Sequence, residues 1–294
     1  MGTSQGSPAV QQCVATVAAR LRPGLKLEAA AKAAGQRIEQ DFRDFQEHGN
    51  LPETIKKDGT LQFETDQIAE EILRQAILED FPQDAVWGEE GGLFYKEDLS
   101  RLWVIDGLDG SSNFKTGISV LACQAAYLVD GVLVAAIIFL PFTNECFTAV
   151  KGKGACRNGR PITVAAQAIK EGNVMTFFSR SSSRRSINAH REIYQRITDF
   201  VKPVRILGSA AVSAARVACG GAHAAIYNST RPYDVLPGAL VVKEAGGCVT
   251  DFQGNDLTFE QPLTGEDVDT FFAQALDVVL CAQTVHKVFL QALA

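Results

Sequence analysis

WVIDGLDGSSNF, residues 103–114, places two aspartates directly after an apolar segment that is typical of a β-strand. Asp106 and Asp109 are so close in sequence that their carboxylates repel each other, and a buried pair of this kind is stable only if cations neutralise it. Oxygen ligands of this type suit hard ions such as Mg²⁺. Gly110 and the two serines after it predict the start of a helix, where backbone N–H groups favour an anion. A cation site beside an anion site is the arrangement expected of an enzyme that acts on phosphate esters.

Length and composition describe an ordinary globular protein. The 294 residues suffice for a large core, with 46% hydrophobic and 21% charged residues. A formal net charge of −6 argues against non-specific nucleic-acid binding, which needs a basic surface. Seven cysteines without a CxxC pair predict reduced thiols rather than disulfides or a zinc site. Since neither a signal peptide nor a bilayer-spanning segment is evident, we expect a cytoplasmic protein without a membrane or nucleic-acid partner.

Hydrophobic periodicity predicts two parts of different architecture. Residues 8–48 predict two helices, and residues 65–80 predict an amphipathic helix capped by Thr65. From 118 to 164 the pattern changes to that of an antiparallel strand meander. The remainder alternates strands with helices, which is typical of an α/β domain. The predicted domains are an α+β domain at 1–165 and an α/β domain at 166–294.

Three further segments accompany WVIDGLDGSSNF along the chain. They are KKDGTLQFETDQ (56–67), WGEE (87–90) and YDVLPGALVVKEAGG (233–247). In order and spacing the four segments resemble the inositol monophosphatase superfamily, whose members are Mg²⁺-dependent, lithium-sensitive phosphomonoesterases. The resemblance implies an α/β protein with the layered αβαβα sugar-phosphatase fold, in which carboxylates from both domains meet in the cleft between them. It also implies a homodimer and a small phosphorylated substrate.

The resemblance implies a set of ligands for two Mg²⁺ ions and a weaker third. Glu89, Asp106 and the backbone carbonyl of Leu108 would hold the first ion. Asp106, Asp109 and Asp234 would hold the second, and Glu89 would contribute to the third. Two cations about 3.5–4 Å apart can bind both the attacking water and the leaving oxygen of an in-line displacement.

The resemblance also implies which side chains act on the attacking water. The hydroxyl of Ser111 would orient this water, and Asp66 would accept its proton directly or through a relay, with Glu89 as the third catalytic residue. Considered alone, Asp66 is an acid at the start of a helix, where the helix dipole favours it. The residues predicted to bind phosphate or substrate are Gly110, Ser111, Ser112, Gly208, Ser209, Ala210, Tyr227 and Asp234.

Two departures from the family pattern and a group of arginines concern the turn and the choice of substrate. Gly107 replaces a usual proline, which predicts a less rigid turn. Tyr227 stands where inositol monophosphatases place a glutamate that binds inositol hydroxyls, and a phenol cannot accept two hydrogen bonds as a carboxylate can. Arginines near the cleft could hold a second phosphate or could simply pair with surface acids. These arginines are Arg180, Arg184, Arg185, Arg191 and Arg231.

The expected function is Mg²⁺-dependent hydrolysis of a small phosphomonoester, such as an inositol or other polyol or sugar phosphate, by direct attack of water on phosphorus. Two alternatives remain open at this point. One is the same chemistry on a bisphosphate, either fructose 1,6-bisphosphate or 3′-phosphoadenosine 5′-phosphate. The other is a non-catalytic regulatory protein built on the same fold.

Overall fold

The computed structural model describes the greater part of the chain. The described residues are 7–20, 26–49, 53–55, 61–94, 98–166, 176–179, 184–201, 203–259, 264–265 and 267–293. The helices are α1 (Pro8–Arg20), α2 (Lys26–His48), α3 (Glu64–Asp80), α4 (Ser111–Thr116), α5 (Arg184–Phe200), α6 (Ala210–Ala218), α7 (Pro232–Glu244), α8 (Val268–Phe272) and α9 (His286–Leu293). The strands are β1 (Glu53–Ile55), β2 (Leu61–Phe63), β3 (Ala85–Gly88), β4 (Gly92–Phe94), β5 (Arg101–Asp109), β6 (Ala122–Val129), β7 (Val132–Leu140), β8 (Glu145–Val150), β9 (Gly154–Arg157), β10 (Arg160–Pro161), β11 (Thr176–Ser179), β12 (Val204–Arg205), β13 (Ala224–Thr230), β14 (Gly247–Thr250) and β15 (Leu276–Ala282).

Two large sheets form the framework. The first has eight strands in the order β10-β9-β8-β7-β6-β5-β3-β4, and the second has five in the order β12-β11-β13-β15-β14. In the first sheet β3 and β5 are parallel, whereas β5 through β10 form an antiparallel meander. The predicted meander at 118–164 is therefore confirmed. In the second sheet β11 is parallel to β12 and β13, whereas β15 is antiparallel to β13 and β14.

Both sheets are covered on both faces, which explains why their central strands are almost continuously apolar. One face of the eight-stranded sheet packs against α1, α2 and α3 through residues such as Trp103 and Ile137. Its other face, with Ile138 and Phe147, packs against α6 and α7. The same two helices contact the second sheet, whose far face packs against α5 and α9. The layer order is αβαβα, as predicted.

The helical predictions for the first part hold except for one cap. The two helices in residues 8–48 are α1 and α2, and the amphipathic helix at 65–80 is α3. Thr65, however, does not cap α3, because the N-cap residue is Phe63, whose backbone N–H donates to Asp66. The Thr65 hydroxyl is buried and instead donates to Asp41 on α2 at 2.7 Å. Its hydrogen bond therefore joins two helices instead of ending one.

The boundary predicted near residue 165 falls between the two sheets. The last strand of the eight-stranded sheet ends at Pro161, and the described strands of the other sheet begin at Thr176. The division into domains at 1–165 and 166–294 remains a prediction. Among the described helices, none combines the length and the hydropathy needed to cross a membrane.

Candidate metal centre and active site

Three carboxylates converge where β3, β5 and α7 meet. Each of Glu89, Asp106 and Asp234 offers a carboxylate oxygen, and these oxygens all lie within 4.8 Å of one another. Glu89 directly follows β3, Asp106 lies inside β5, and Asp234 lies in the first turn of α7. The parallel pairing of β3 with β5 brings the first two together, and the backbone N–H of Glu89 donates to Ile105 at 3.2 Å.

The carboxylate cluster fits a hard cation. The pKa of Asp106 lies well above its usual value, mainly because the side chain is buried. The negative charges of Glu89, Asp109 and Asp234 raise this pKa further. Burial and the charges of Glu89 and Asp109 likewise raise the pKa of Asp234. In the described part of the chain, neither Asp106 nor Asp234 forms an ion pair with a basic side chain. An all-oxygen donor set with uncompensated negative charge is the chemistry that Mg²⁺ requires.

Gln124 lies on β6 directly opposite Asp106 on β5, and both residues are buried. The Gln124 side-chain amide donates to Asp106 Oδ2 at 3.1 Å. Gln124 is 1% exposed, and its Oε1 has no hydrogen-bond partner among the residues that the structure describes. A buried acceptor without a donor is costly, and a hydrated cation beside it would supply that donor.

Asp109, the fourth predicted acidic ligand, lies beside the cluster but is bound to the start of α6. Its carboxylate accepts the hydroxyl hydrogen of Ser209 and the backbone N–H groups of Ala210, at 3.2 Å, and Ala211, at 2.9 Å. Burial, opposed by these hydrogen bonds and reinforced by Glu89, raises the pKa of Asp109 to about 6. Ser209 and Ala210, predicted to contact substrate, therefore position a candidate metal ligand.

The predicted anion site begins where β5 ends. Gly110 has a left-handed φ of 104° and precedes α4, whose first residues are Ser111 and Ser112. The first amides of a helix have no acceptor inside it, as the phosphate-binding prediction requires. Asn113 ties this turn to the loop before α6, because its amide donates to the carbonyls of Val120 at 2.9 Å and Leu207 at 2.7 Å. A Cβ on Gly208 would lie only 2.7 Å from Asn113 Oδ1, which explains the glycine there.

Asp66 lies on α3, close to the backbone of the aspartate pair. Its carboxylate accepts the backbone N–H of Phe63, the N-cap residue of α3, and its catalytic role remains a prediction. A Cβ on Gly107 would lie 2.4 Å from the Asp66 carbonyl oxygen and 2.7 Å from the Glu70 nitrogen. Gly107 thus allows α3 to approach β5, and the less rigid turn expected from the missing proline remains a prediction.

Leu108 and Tyr227 occupy buried positions next to these groups. The backbone N–H of Leu108 donates to Asp106 Oδ1 at 3.0 Å, so this residue is already tied to a predicted ligand. Tyr227 on β13 is 1% exposed, and its hydroxyl donates to the Ala210 carbonyl at 2.9 Å. The hydroxyl therefore supports the N-terminus of α6. The glutamate expected at this position in an inositol monophosphatase would instead have offered two acceptor oxygens to a polyol.

An aromatic stack closes the cluster on the side of α7 and α8. The ring of Trp87 stacks on Phe272 at a centroid distance of 4.2 Å and on Tyr233 at 5.3 Å. Its indole N–H donates to Asp269 at 2.8 Å. Trp87 is two residues from Glu89 and Tyr233 precedes Asp234, so the stack joins the segments that carry two of the clustered carboxylates.

Among the arginines predicted near the cleft, the structure describes two side chains. Arg191 is exposed on α5, and Arg231 donates from its backbone to Asp234 and from its guanidinium to the Ala273 carbonyl. The side chains of Arg180, Arg184 and Arg185 lie outside the described part. A second-phosphate site therefore remains a prediction.

Known proteins similar to this chain belong to one family. The model of the inositol monophosphatase family matches residues 20–289. A fructose-1,6-bisphosphatase/inositol-1-monophosphatase from Thermotoga maritima is 33% identical over 210 residues, which are 71% of this chain and 78% of the relative. Nus factor SuhB from Xylella fastidiosa is 35% identical over 193 residues, 66% of this chain and 70% of the relative.

A solved structure agrees over most of the fold. The extragenic suppressor protein suhB from Bartonella henselae superposes with a TM-score of 0.79 at 26% identity, covering 90% of this chain and 95% of that one. The family match spans both sheets and every carboxylate of the cluster. The chain therefore belongs to the inositol monophosphatase family.

Proposed function

We propose that the protein is a Mg²⁺-dependent phosphomonoesterase that hydrolyses a small polyol or sugar phosphate. The observation that carries this proposal is the convergence of Glu89, Asp106 and Asp234 within 4.8 Å of one another, without an ion pair at Asp106 or Asp234 in the described residues. These three residues, with Asp109 and the Leu108 carbonyl, would hold Mg²⁺. Mg²⁺ bound there would lower the pKa of water and neutralise the charge that develops on the phosphoryl oxygens.

The chain's own groups would orient the reactants. The first amides of α4, with Gly110, Ser111 and Ser112, would hold the phosphate. The Ser111 hydroxyl would orient the attacking water, and the Asp66 carboxylate would accept its proton. In-line attack requires no phospho-enzyme, since water displaces the leaving alcohol directly. We expect inhibition by Li⁺ and a homodimeric assembly, as in the family.

The test is phosphate release from a panel of inositol, sugar, bisphosphate and nucleotide substrates. Activity that requires Mg²⁺ and that Li⁺ suppresses supports the proposal, and the best substrate identifies the class. Absence of turnover on every member, in a folded protein with Mg²⁺ present, would contradict it.

A bisphosphate substrate is the second candidate, and two observations favour it. The Thermotoga maritima relative carries both names, fructose-1,6-bisphosphatase and inositol-1-monophosphatase. In this chain Tyr227 stands in place of the inositol-binding glutamate, and its hydroxyl donates to the Ala210 carbonyl. Loss of activity in Arg184→Ala on bisphosphates, but not on monophosphates, would support this candidate.

A regulatory role is the third candidate, and the relatives named Nus factor SuhB favour it. Such a protein need not turn over a phosphate ester. Mg²⁺-dependent hydrolysis that is lost in Asp106→Asn would contradict a purely regulatory role. A folded, inactive protein that binds a macromolecule would support it.

A further inference from the structure

Glu70 is a buried acid beneath the turn that carries Glu89. It lies on α3, one helical turn after Asp66, and is 3% exposed. Its Oε2 accepts the backbone N–H of Glu90 at 3.0 Å, and its Oε1 accepts the backbone N–H of Gly91 at 3.2 Å. Both oxygens of one carboxylate thus hold the two peptide groups that directly follow Glu89.

Two glycines make room for this side chain. A Cβ on Gly88 would lie 2.1 Å from Glu70 Oε1 and 2.3 Å from its carboxyl carbon. A Cβ on Gly107 would lie 2.7 Å from the Glu70 nitrogen and 3.2 Å from its Cβ. Gly88 pairs with Ile105 in the β3–β5 ladder, so the two glycines lie on adjacent strands facing α3. Because these two positions carry no side chain, the Glu70 carboxylate can reach the turn that follows β3.

The position is costly for an acid, and packing alone does not explain it. The nearest charges include those of Glu89 and Glu90, which repel a carboxylate. In the part of the chain that the structure describes, Glu70 forms no ion pair. An apolar residue would fill the same space without this repulsion, but it would leave two backbone N–H groups unpaired.

We propose that Glu70 is a positioning residue that fixes the turn Glu89–Gly91 and so directs the Glu89 carboxylate toward the metal. This inference rests on the proposed function, because it assumes that the carboxylate cluster binds Mg²⁺. Partners that orient a ligand from behind commonly change metal affinity 10–100-fold when they are removed. Loss of the Glu70 carboxylate would therefore weaken Mg²⁺ binding although Glu70 itself does not contact the metal.

The test is calorimetric titration of Mg²⁺ into the full chain for the wild type, Glu70→Gln and Asp84→Asn. Glutamine keeps the shape of Glu70 but presents an amide donor to one of the two backbone N–H groups. Asp84 is the matched control, since it is also 3% exposed and accepts hydrogen bonds from Arg101 and Trp103 at the other end of β3. Thermal unfolding without metal records the stability of each variant.

We expect Mg²⁺ affinity to fall about 10–100-fold in Glu70→Gln and to stay at the wild-type level in Asp84→Asn, even if both unfold at lower temperature. Wild-type affinity in Glu70→Gln would overturn the inference, as would an equal loss in the control. A wild type that binds no Mg²⁺ would contradict the proposed function. A wild type that binds Mg²⁺ no more tightly than Glu70→Gln would contradict only the positioning role of Glu70.

A second variant and a second measurement distinguish a local change at the turn from misfolding of the whole chain. Glu70→Asp keeps the carboxylate on a shorter side chain, and we expect it to lose affinity as well. Hydrogen exchange at Glu90 and Gly91 without metal should be faster in both variants than in the wild type. Unchanged protection of these two amides would overturn the inference independently of any metal.

Discussion

Gly107→Ala should disable the protein by moving the helix that carries Asp66. The added Cβ would lie 2.4 Å from the Asp66 carbonyl oxygen and 2.7 Å from the Glu70 nitrogen, whereas ordinary contact begins at 3.4 Å. Both neighbours are backbone atoms, so α3 or β5 must shift by about 1 Å. Overpacking of this kind costs about 1–3 kcal/mol of stability, and a 1 Å misplacement of a catalytic group can cost about 100-fold in rate.

The assay combines phosphate release at saturating substrate with urea unfolding. We expect kcat to fall about 100-fold while the variant still unfolds cooperatively. Gly265→Ala is the control, since a Cβ there meets no atom of the described residues within 4 Å. Full activity in Gly107→Ala would refute the claim that the close approach of α3 to β5 positions the site.

Three further predictions concern the carboxylates and the aromatic stack. Asp106→Asn should abolish Mg²⁺ binding and yet raise the unfolding temperature of the metal-free protein, because it removes a buried charge that its neighbours repel; a lower temperature would contradict this. Burial raises the pKa of Asp109 to about 6 and that of Glu70 to about 7, so their contribution to metal-free stability is complete below about pH 4 and is lost as pH rises to 7. Mg²⁺ should therefore raise the unfolding temperature more at pH 7.5 than at pH 5, and an equal rise would count against this. Asp269→Ala should cost about 0.5–1.5 kcal/mol in urea unfolding through the lost Trp87 hydrogen bond, and an unchanged midpoint would show that this bond is not stabilising.

The layers of the fold could be predicted because the pattern of each element is local. The helix at 64–80 and the meander that follows residue 118 have clear periodicities, and their order implies the αβαβα arrangement. The end of β5 does not follow from the sequence pattern, because Asp106 and Asp109 are charged and yet both belong to the strand. The pairing of β5 with β6 shifts register between these two positions, which changes the direction of their side chains. No local sequence pattern predicts this shift.

The three converging carboxylates could be predicted from their motifs, whereas the groups that hold them in place could not. Gln124 faces Asp106 only because β5 and β6 pair in one particular register. The contact of Asp109 with the amides of Ala210 and Ala211 joins residues about one hundred positions apart. Glu70 belongs to the buried face of an amphipathic helix, and only the tertiary structure shows what it holds.

We propose that the cluster of Glu89, Asp106 and Asp234 is a Mg²⁺ site that serves phosphate-ester hydrolysis. The most direct test measures phosphate release as a function of Mg²⁺ concentration for the wild type and Asp106→Asn, using the best substrate of the panel. We expect saturable activation of the wild type by Mg²⁺ and loss of that activation in the variant. Equal activity with and without Mg²⁺, or a fully active Asp106→Asn, would contradict it.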